Sequence, residues 1–294
     1  MLTSLDHLVI AVRDLDAATA TYASLFGLRP SWRGDHGDWG TGNTLFRLQN
    51  TYVELLAPLR PGALADALRQ HLDAAGEGPY ALAFGTEAIE ATAHTLGDLG
   101  MTAGAPAAGS GRDHASGAER RWRNLFLSPA ATRGVRLFVI QHDSPPEALP
   151  LAPPTAPADA MVGGVDHAVI MTPDPDAAIA LYRDRFGLRL ALDRTFTERG
   201  MRLLFFRIAG ITVEVAATVA GDPPVAPGGD PDRFWGISYR VADAAAARDR
   251  LAAAGFDVSD VRTGFKPGTR VCTVRRETHG VATLLIEGTG GPRP

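Results

Sequence analysis

The sequence predicts an α+β fold made of four βαβββ modules. Three observations lead there. Residues 5–54 and 165–214 align without a gap and agree at about 19 positions, where background frequencies would give about two or three. Within each copy the signals run strand, helix, then three strands. The same order recurs, more weakly, in the stretch that follows each copy.

Each element has a local reason. Leu8 to Val12 is a short β-rich run that stops at a turn. Asp14 stands where a helix N-cap belongs, as does Asp174, which is followed by Pro175 at the first helical position, where a missing N–H costs nothing. Ala18, Tyr22, Leu25 and Phe26 recur at helical spacing and form a buried face, so Tyr22 and its repeat Tyr182 are read as core. Gly27 and Gly187 follow as helix C-caps. Strands are expected near 29–33, 44–48 and 51–56, with Asn50 at the last tight turn and Gly210 in its place in the second copy. Residues 61–75 read as a connecting helix. The second module follows with a strand at 81–86, a helix at 88–99 and strands near 119–127 and 135–141. The fourth has a strand at 235–241, a helix at 243–254 and strands near 269–275 and 281–287.

These modules divide the chain into two expected domains, 1–143 (modules 1–57 and 79–142) and 164–290 (modules 164–217 and 233–288). Between them, 144–163 is rich in Pro and Ala and has no apolar period, so it reads as a linker. A second Pro/Gly linker is expected at 217–232. Gly104 to Gly117 is glycine-rich but lacks the spacing of a phosphate loop, and reads as a flexible hairpin over the site. Proteases are expected to cut first in 144–164 or 104–117.

Composition narrows the function. The 294 residues suit two domains, and 45% hydrophobic with 21% charged residues is ordinary for a globular protein. The net charge is −4 and there is no basic stripe, which argues against nucleic acid. No apolar run approaches the roughly 18 residues a membrane helix needs, and MLTSLDHLVIAV lacks a basic leader, so a cytoplasmic location is expected. The single cysteine, Cys272, excludes an internal disulfide framework and reads as a plain strand residue.

A D-H-x-V-I strand (Asp6 to Ile10, Asp166 to Ile170), a D-x-D-A-A helix start, an F-G-L turn and a closing V-E strand resemble the vicinal-oxygen-chelate superfamily of glyoxalases, extradiol dioxygenases, methylmalonyl-CoA epimerases and fosfomycin- and bleomycin-resistance proteins. The segment HGDWGTGNTLFRLQNTYVELLA, His36 to Ala57, is similar to glyoxalase-like proteins. The resemblance covers nearly all of the chain outside the linkers. It implies that two modules pair into a half-open cup with a divalent metal at its centre, and it places metal ligands on the first and last strands of a module: His7 and Glu54, and His167 and Glu214. Neighbouring strands lie about 4.8 Å apart, so inward imidazole and carboxylate groups can converge on one ion of Fe, Mn, Zn, Ni or Co.

Modules 2 and 4 depart from the pattern. The His position becomes Ala81 and Gly236, and the Glu position becomes Phe138 and Leu284. Each cup is left with two ligands where the family needs three or four. Two readings stay open. Either each pair holds a metal with a non-motif third ligand or waters, or the pairs bond each other in a cup that has no metal. Beside Glu54 and His7 as catalytic candidates, His36, Asn43 and Arg47 are candidates for binding a substrate. His142 and His279 are read as solvated loop residues, and Arg47 and Arg207 bind an anion only if they point inward. The function expected is a metal-dependent lyase, isomerase or dioxygenase acting on a small oxygenated molecule; the alternative is a metal-free binding or resistance protein. The N-terminal cup is expected to be the working one, in a monomer or homodimer.

Overall fold

The computed structural model describes residues 1–101, 104–219 and 231–288. Most of the expected 217–232 linker, and the last two residues of the expected second domain, lie outside them. The fold is mixed α+β with two eight-stranded sheets, as the sequence predicts.

Module 1 supplies β1 (Ser4–Ala11), α1 (Leu15–Phe26), β2 (Trp32–Asp35), β3 (Thr41–Arg47) and β4 (Tyr52–Pro58). The Asp14 side chain accepts the Ala17 N–H, and Gly27 closes α1 at φ 67°, in the left-handed region. After α2 (Ala63–Ala75), module 2 supplies β5 (Gly78–Gly85), α3 (Ile89–Asp98), β6 (Ala107–Asp113), β7 (Glu119–Phe126) and β8 (Arg136–His142). These eight strands close into a barrel in the order β1-β4-β3-β2-β6-β7-β8-β5.

Closure happens where β2 meets β6, with Gly34 opposite Asp113. A Cβ on Gly34 would lie 2.2 Å from the Arg112 carbonyl oxygen, so only glycine lets the two edges meet. The glycine-rich stretch at 104–117 is therefore not a flexible flap over the site but one arm and the turn of a hairpin in the barrel wall. Its residues 107–113 are a wall strand, and Gly109 and Gly111 make room for the Trp122 indole lying across them. Leu68 and Leu72 of α2 pack on Val9, Leu56 and Tyr80 and stopper one end of the barrel.

The second sheet is built from β9 (Val162–Met171), β10 (Arg189–Phe196), β11 (Met201–Ile208), β12 (Ile211–Thr218), β13 (Arg233–Val241), β14 (Arg262–Thr263), β15 (Arg270–Val274) and β16 (Ala282–Glu287). It stays open, in the order β10-β11-β12-β9-β13-β16-β15-β14. Its helices are α4 (Pro175–Ile179), which runs on into a π-helical stretch at Ala180–Arg185, and α5 (Ala244–Ala253).

One hydrophobic core runs through both halves. Phe26 packs edge-on to Tyr239 at 4.9 Å, and Phe84 meets Phe186 at 5.6 Å. Arg250 donates to the carbonyls of Ser24 and Leu25 at the end of α1. Asn50, at its tight turn, exchanges two hydrogen bonds with the Val165 backbone. His279, read as a solvated loop residue, instead pairs with Glu77 across the halves at 2.8 Å.

The 144–163 segment is a strap rather than free chain. Arg29 N–H donates to the Pro153 carbonyl, Ala152 N–H to Arg47 and Thr155 N–H to Gly27. Leu149 is buried against Trp32, Leu45 and Tyr52. The expected early proteolysis at 144–164 and 104–117 is not supported, because both backbones are largely paired.

Candidate functional site

The barrel encloses a cavity of about 240 Å³. β1 and β4 run parallel with His7 beside Tyr52 and Val9 beside Glu54, so the side chains of His7, Val9, Tyr52, Glu54 and Leu56 share the inner face. The His7 ring stacks on Tyr52 at 4.5 Å and meets Phe138 edge-on at 5.4 Å. His7 Nε2 lies 3.5 Å from Glu54 Oε2, and both residues are buried.

The sequence reading missed Asp6. Strict alternation would send it away from His7, but the β1–β5 register slips between Leu5 and His7, a β-bulge that turns Asp6 back. Asp6 Oδ1 lies 2.8 Å from His7 Nδ1, and Asp6 Oδ2 lies 3.1 Å from His142 Nε2. Burial alone would raise the Asp6 carboxyl, but the hydrogen bonds from His142 and His7 outweigh it and hold it well below the usual carboxylate range. Asp6 is therefore an acceptor, so His7 Nδ1 carries a proton and donates. His7 Nε2 then faces a carboxylate oxygen with either a shared proton or a cation between them. His142, read as a solvated loop residue, is in this chain. It borders a crevice at the strand ends that Asp6 also lines, so His142, Asp6, His7 and Glu54 run from that crevice to the cavity.

His36 and Asn43 come together at the other Glu54 oxygen. Asn43 Nδ2 donates to Glu54 Oε1 at 2.8 Å and to His36 Nε2 at 3.1 Å. His36 Nδ1 donates to Thr41 Oγ1 at 2.9 Å. The loop that holds His36 folds back at Gly40, whose φ of 77° brings its backbone onto the Arg60 and Pro61 carbonyls. Burial holds the His36 imidazole below its ordinary value, against the opposing pull of Glu54 and Asp35. The unfolded chain takes up a proton at His36 below about pH 6.5 while the folded one resists it. Stability is thus full above that pH and falls below it. Between about pH 7.5 and about pH 5.5 the melting temperature is expected to fall more steeply in the wild type than in His36→Gln; equal slopes would remove His36 as the cause. Asp6 acts in a separate, lower window, below the ordinary carboxylate value of about 3.9.

The opposite wall comes from module 2. In β7, Arg120, Trp122, Asn124 and Phe126 point inward while Glu119, Arg121 and Arg123 point out. Arg47 shares a strand with Asn43 and Leu45 but does not line the cavity; the arginines that do are Arg120 and, beside Tyr80, Arg136. The alternation in ERRWRNLF was a usable sign, since a packed core does not put Arg and Asn on its inward face. Ala81 pairs with Arg136 and Phe138 follows two residues on, the spacing by which Glu54 follows Tyr52.

The second sheet repeats the pair with one difference. Asp166 lies 2.9 Å from His167 Nδ1, again beside a register slip, and His167 Nε2 lies 3.6 Å from Glu214 Oε2. Burial pushes the Glu214 carboxyl up. But Ser238, opposite His167 on β13, puts its hydroxyl 2.7 Å from Nε2. In the barrel the residue opposite His7 is Ala83, which leaves Nε2 to Glu54. The barrel pair is also better shielded, with side chains 4% and 10% exposed against 15% and 18%.

The His7–Glu54 pair offers two donors to a metal. Among the described residues no group of three His, Cys, Asp or Glu side chains is placed to hold an ion. His36 is near enough to be a third ligand, with Nε2 3.8 Å from Glu54 Oε1, but the Asn43 amide donates to both atoms and takes the one lone pair of Nε2.

Residues 5–161 match the model of the glyoxalase-like domain, and 166–273 match that of the glyoxalase/bleomycin resistance protein/dioxygenase superfamily. The chain belongs to the vicinal-oxygen-chelate superfamily, as a tandem member. It is 31% identical over 101 residues to the ethylmalonyl-CoA/methylmalonyl-CoA epimerase of Cereibacter sphaeroides, which covers 33% of this chain and 75% of that one. A triple mutant of 4-hydroxymandelate synthase from Streptomyces coelicolor shares the fold over 99% of this chain and 95% of its own, with a TM-score of 0.69 and 13% identity. The Mn(II)-bound glyoxalase of Novosphingobium aromaticivorans does so over 97% and 82%, with a TM-score of 0.60 and 15% identity. Among the described residues of this superfamily member, no helix is long and apolar enough to cross a membrane.

Proposed function

We propose that the N-terminal barrel is an enzyme site that moves a proton to or from a carbon next to a carbonyl in a small oxygenated molecule, as an isomerase or lyase does. The observation that carries this is the buried His7–Glu54 pair at 3.5 Å, with its Nε2 and Oε2 edges in a cavity large enough for a small ligand. Glu54 is the base. Its Oε1 is fixed by Asn43, and Oε2 is left to exchange a proton with His7 or substrate. Asp6 fixes the His7 tautomer from the far side and stabilises the imidazolium formed when His7 Nε2 takes the proton from Glu54, and His142 holds Asp6 from the crevice side. Asn124 lines the same cavity, and its Oδ1 is buried in the wall without a hydrogen-bond partner.

The test is proton exchange in D₂O. The protein is incubated with a panel of 2-oxo acids and 2-oxo alcohols, and loss of the C–H signal next to the carbonyl is followed by NMR against a buffer blank. Acceleration that survives a chelator supports the proposal, and no acceleration for any compound refutes it. Asp6 acts through His7, so Asp6→Asn is expected to slow exchange about 10²-fold and to shift its pH profile. An unshifted profile would leave Asp6 a structural role only.

A metal-dependent reading also has an observation in its favour. The 3.5 Å gap between Nε2 and Oε2 would suit an ion bound about 2.0–2.2 Å from each. Stoichiometric metal in the purified protein, lost together with exchange activity on chelation, would favour it.

A further inference from the structure

We infer that the barrel selects a ligand bearing a carboxylate, and that Arg120 is its receptor. This rests on the barrel's being the working site and names the class of molecule it takes. Arg120 is only 7% exposed, yet its side chain lines the cavity. Among the described residues no carboxylate pairs with it. Its neighbours are the rings of Trp32 at 5.7 Å and Tyr52 at 5.6 Å, with the Tyr52 phenol as a polar contact.

Buried arginine is costly unless paired. Its guanidinium carries five N–H donors in a planar fork, and one phenol oxygen cannot satisfy them. Among the described residues Glu54 is the single acidic residue in the cavity wall, and its two oxygens face Asn43 and His7. Arg120 thus has no carboxylate in contact among the described residues, and its fork matches a carboxylate in bidentate contact. The rest of the wall sets the body of the ligand. Trp122, Phe126 and Phe138 are flat and apolar, and with the 240 Å³ volume they suit one aromatic ring or a branched chain. The occupant is a small aromatic or branched organic acid, with an oxygen next to the carboxylate that reaches the His7–Glu54 pair.

Calorimetric titration of the full chain tests this with four probes: phenylacetate, phenyllactate and the primary amide of each. Both acids are expected to bind about ten-fold or more tightly than their amides, the size of a charge-assisted bidentate contact. In Arg120→Met that preference should vanish, while Arg120→Lys should keep part of it. Acid and amide binding alike to the wild type would overturn the inference, as would an acid preference that survives Arg120→Met or a failure of either acid to bind. The wild-type comparison holds even if a variant fails to fold. Glu54→Gln should keep the acid preference. Acid-selective binding without proton exchange therefore refutes the proton-transfer proposal alone, and exchange without acid selectivity refutes the carboxylate inference alone.

Discussion

Glu54→Gln is expected to slow proton exchange by about 10³-fold while leaving the fold intact. The amide keeps the shape and can still meet Asn43 and His7, so stability should change little. What it loses is the lone-pair basicity at Oε2, the atom 3.5 Å from His7 Nε2. Circular dichroism and a melting curve check the fold, and exchange rates measured by NMR check the chemistry. A variant that folds and retains wild-type exchange would remove Glu54 as the base.

The second large effect is on stability. Phe26→Ala is expected to cost about 3–5 kcal/mol, a large share of the stability of an ordinary protein. Phe26 is fully buried at the end of α1 and packs edge-on against Tyr22, Phe46 and, from the other half, Tyr239. The ring therefore belongs to both halves, and Arg250 ties the same helix end across them. Chemical denaturation followed by tryptophan fluorescence and far-UV circular dichroism should show both halves losing stability together. Three of the four tryptophans, Trp32, Trp39 and Trp122, lie in the barrel half and Trp235 in the other, so fluorescence weights the barrel. A shift in fluorescence alone would mean the halves unfold independently.

Much of this was legible in the sequence, for local reasons. Caps such as Asp14 and Gly27 act within one turn, so they announce their helices directly. The repeat doubled that signal and singled out His7 with Glu54 and His167 with Glu214. Counting from the strand, helix and turn landmarks was enough to give Ala81 and Phe138 as the matching positions of the second module, and the β5–β8 register agrees.

What escaped was set by distant partners or by a break in the period. Asp6 was inside the matched D-H motif in both copies, but a bulge, invisible to an alternating pattern, turned it onto His7. Gly109 and Gly111 suggested a loop by composition; they are in a strand because Trp122 needs the space above them. The Pro/Ala-rich strap has no period because its hydrogen bonds go to Gly27, Arg29 and Arg47, far away in the chain. For Arg120 the alternation in ERRWRNLF was the one sign, and an inward arginine makes sense only once the strand is known to face a cavity.

The central claim is that the barrel, and not the open sheet, is the working site. Its most direct test is the D₂O exchange rate of Glu54→Gln set beside that of Glu214→Gln, under one set of conditions and on one substrate. Loss of exchange in Glu54→Gln with a near wild-type rate in Glu214→Gln is the predicted result. Equal losses, or a loss confined to Glu214→Gln, would contradict it and place the chemistry at His167 and Glu214 despite the Ser238 hydroxyl on Nε2.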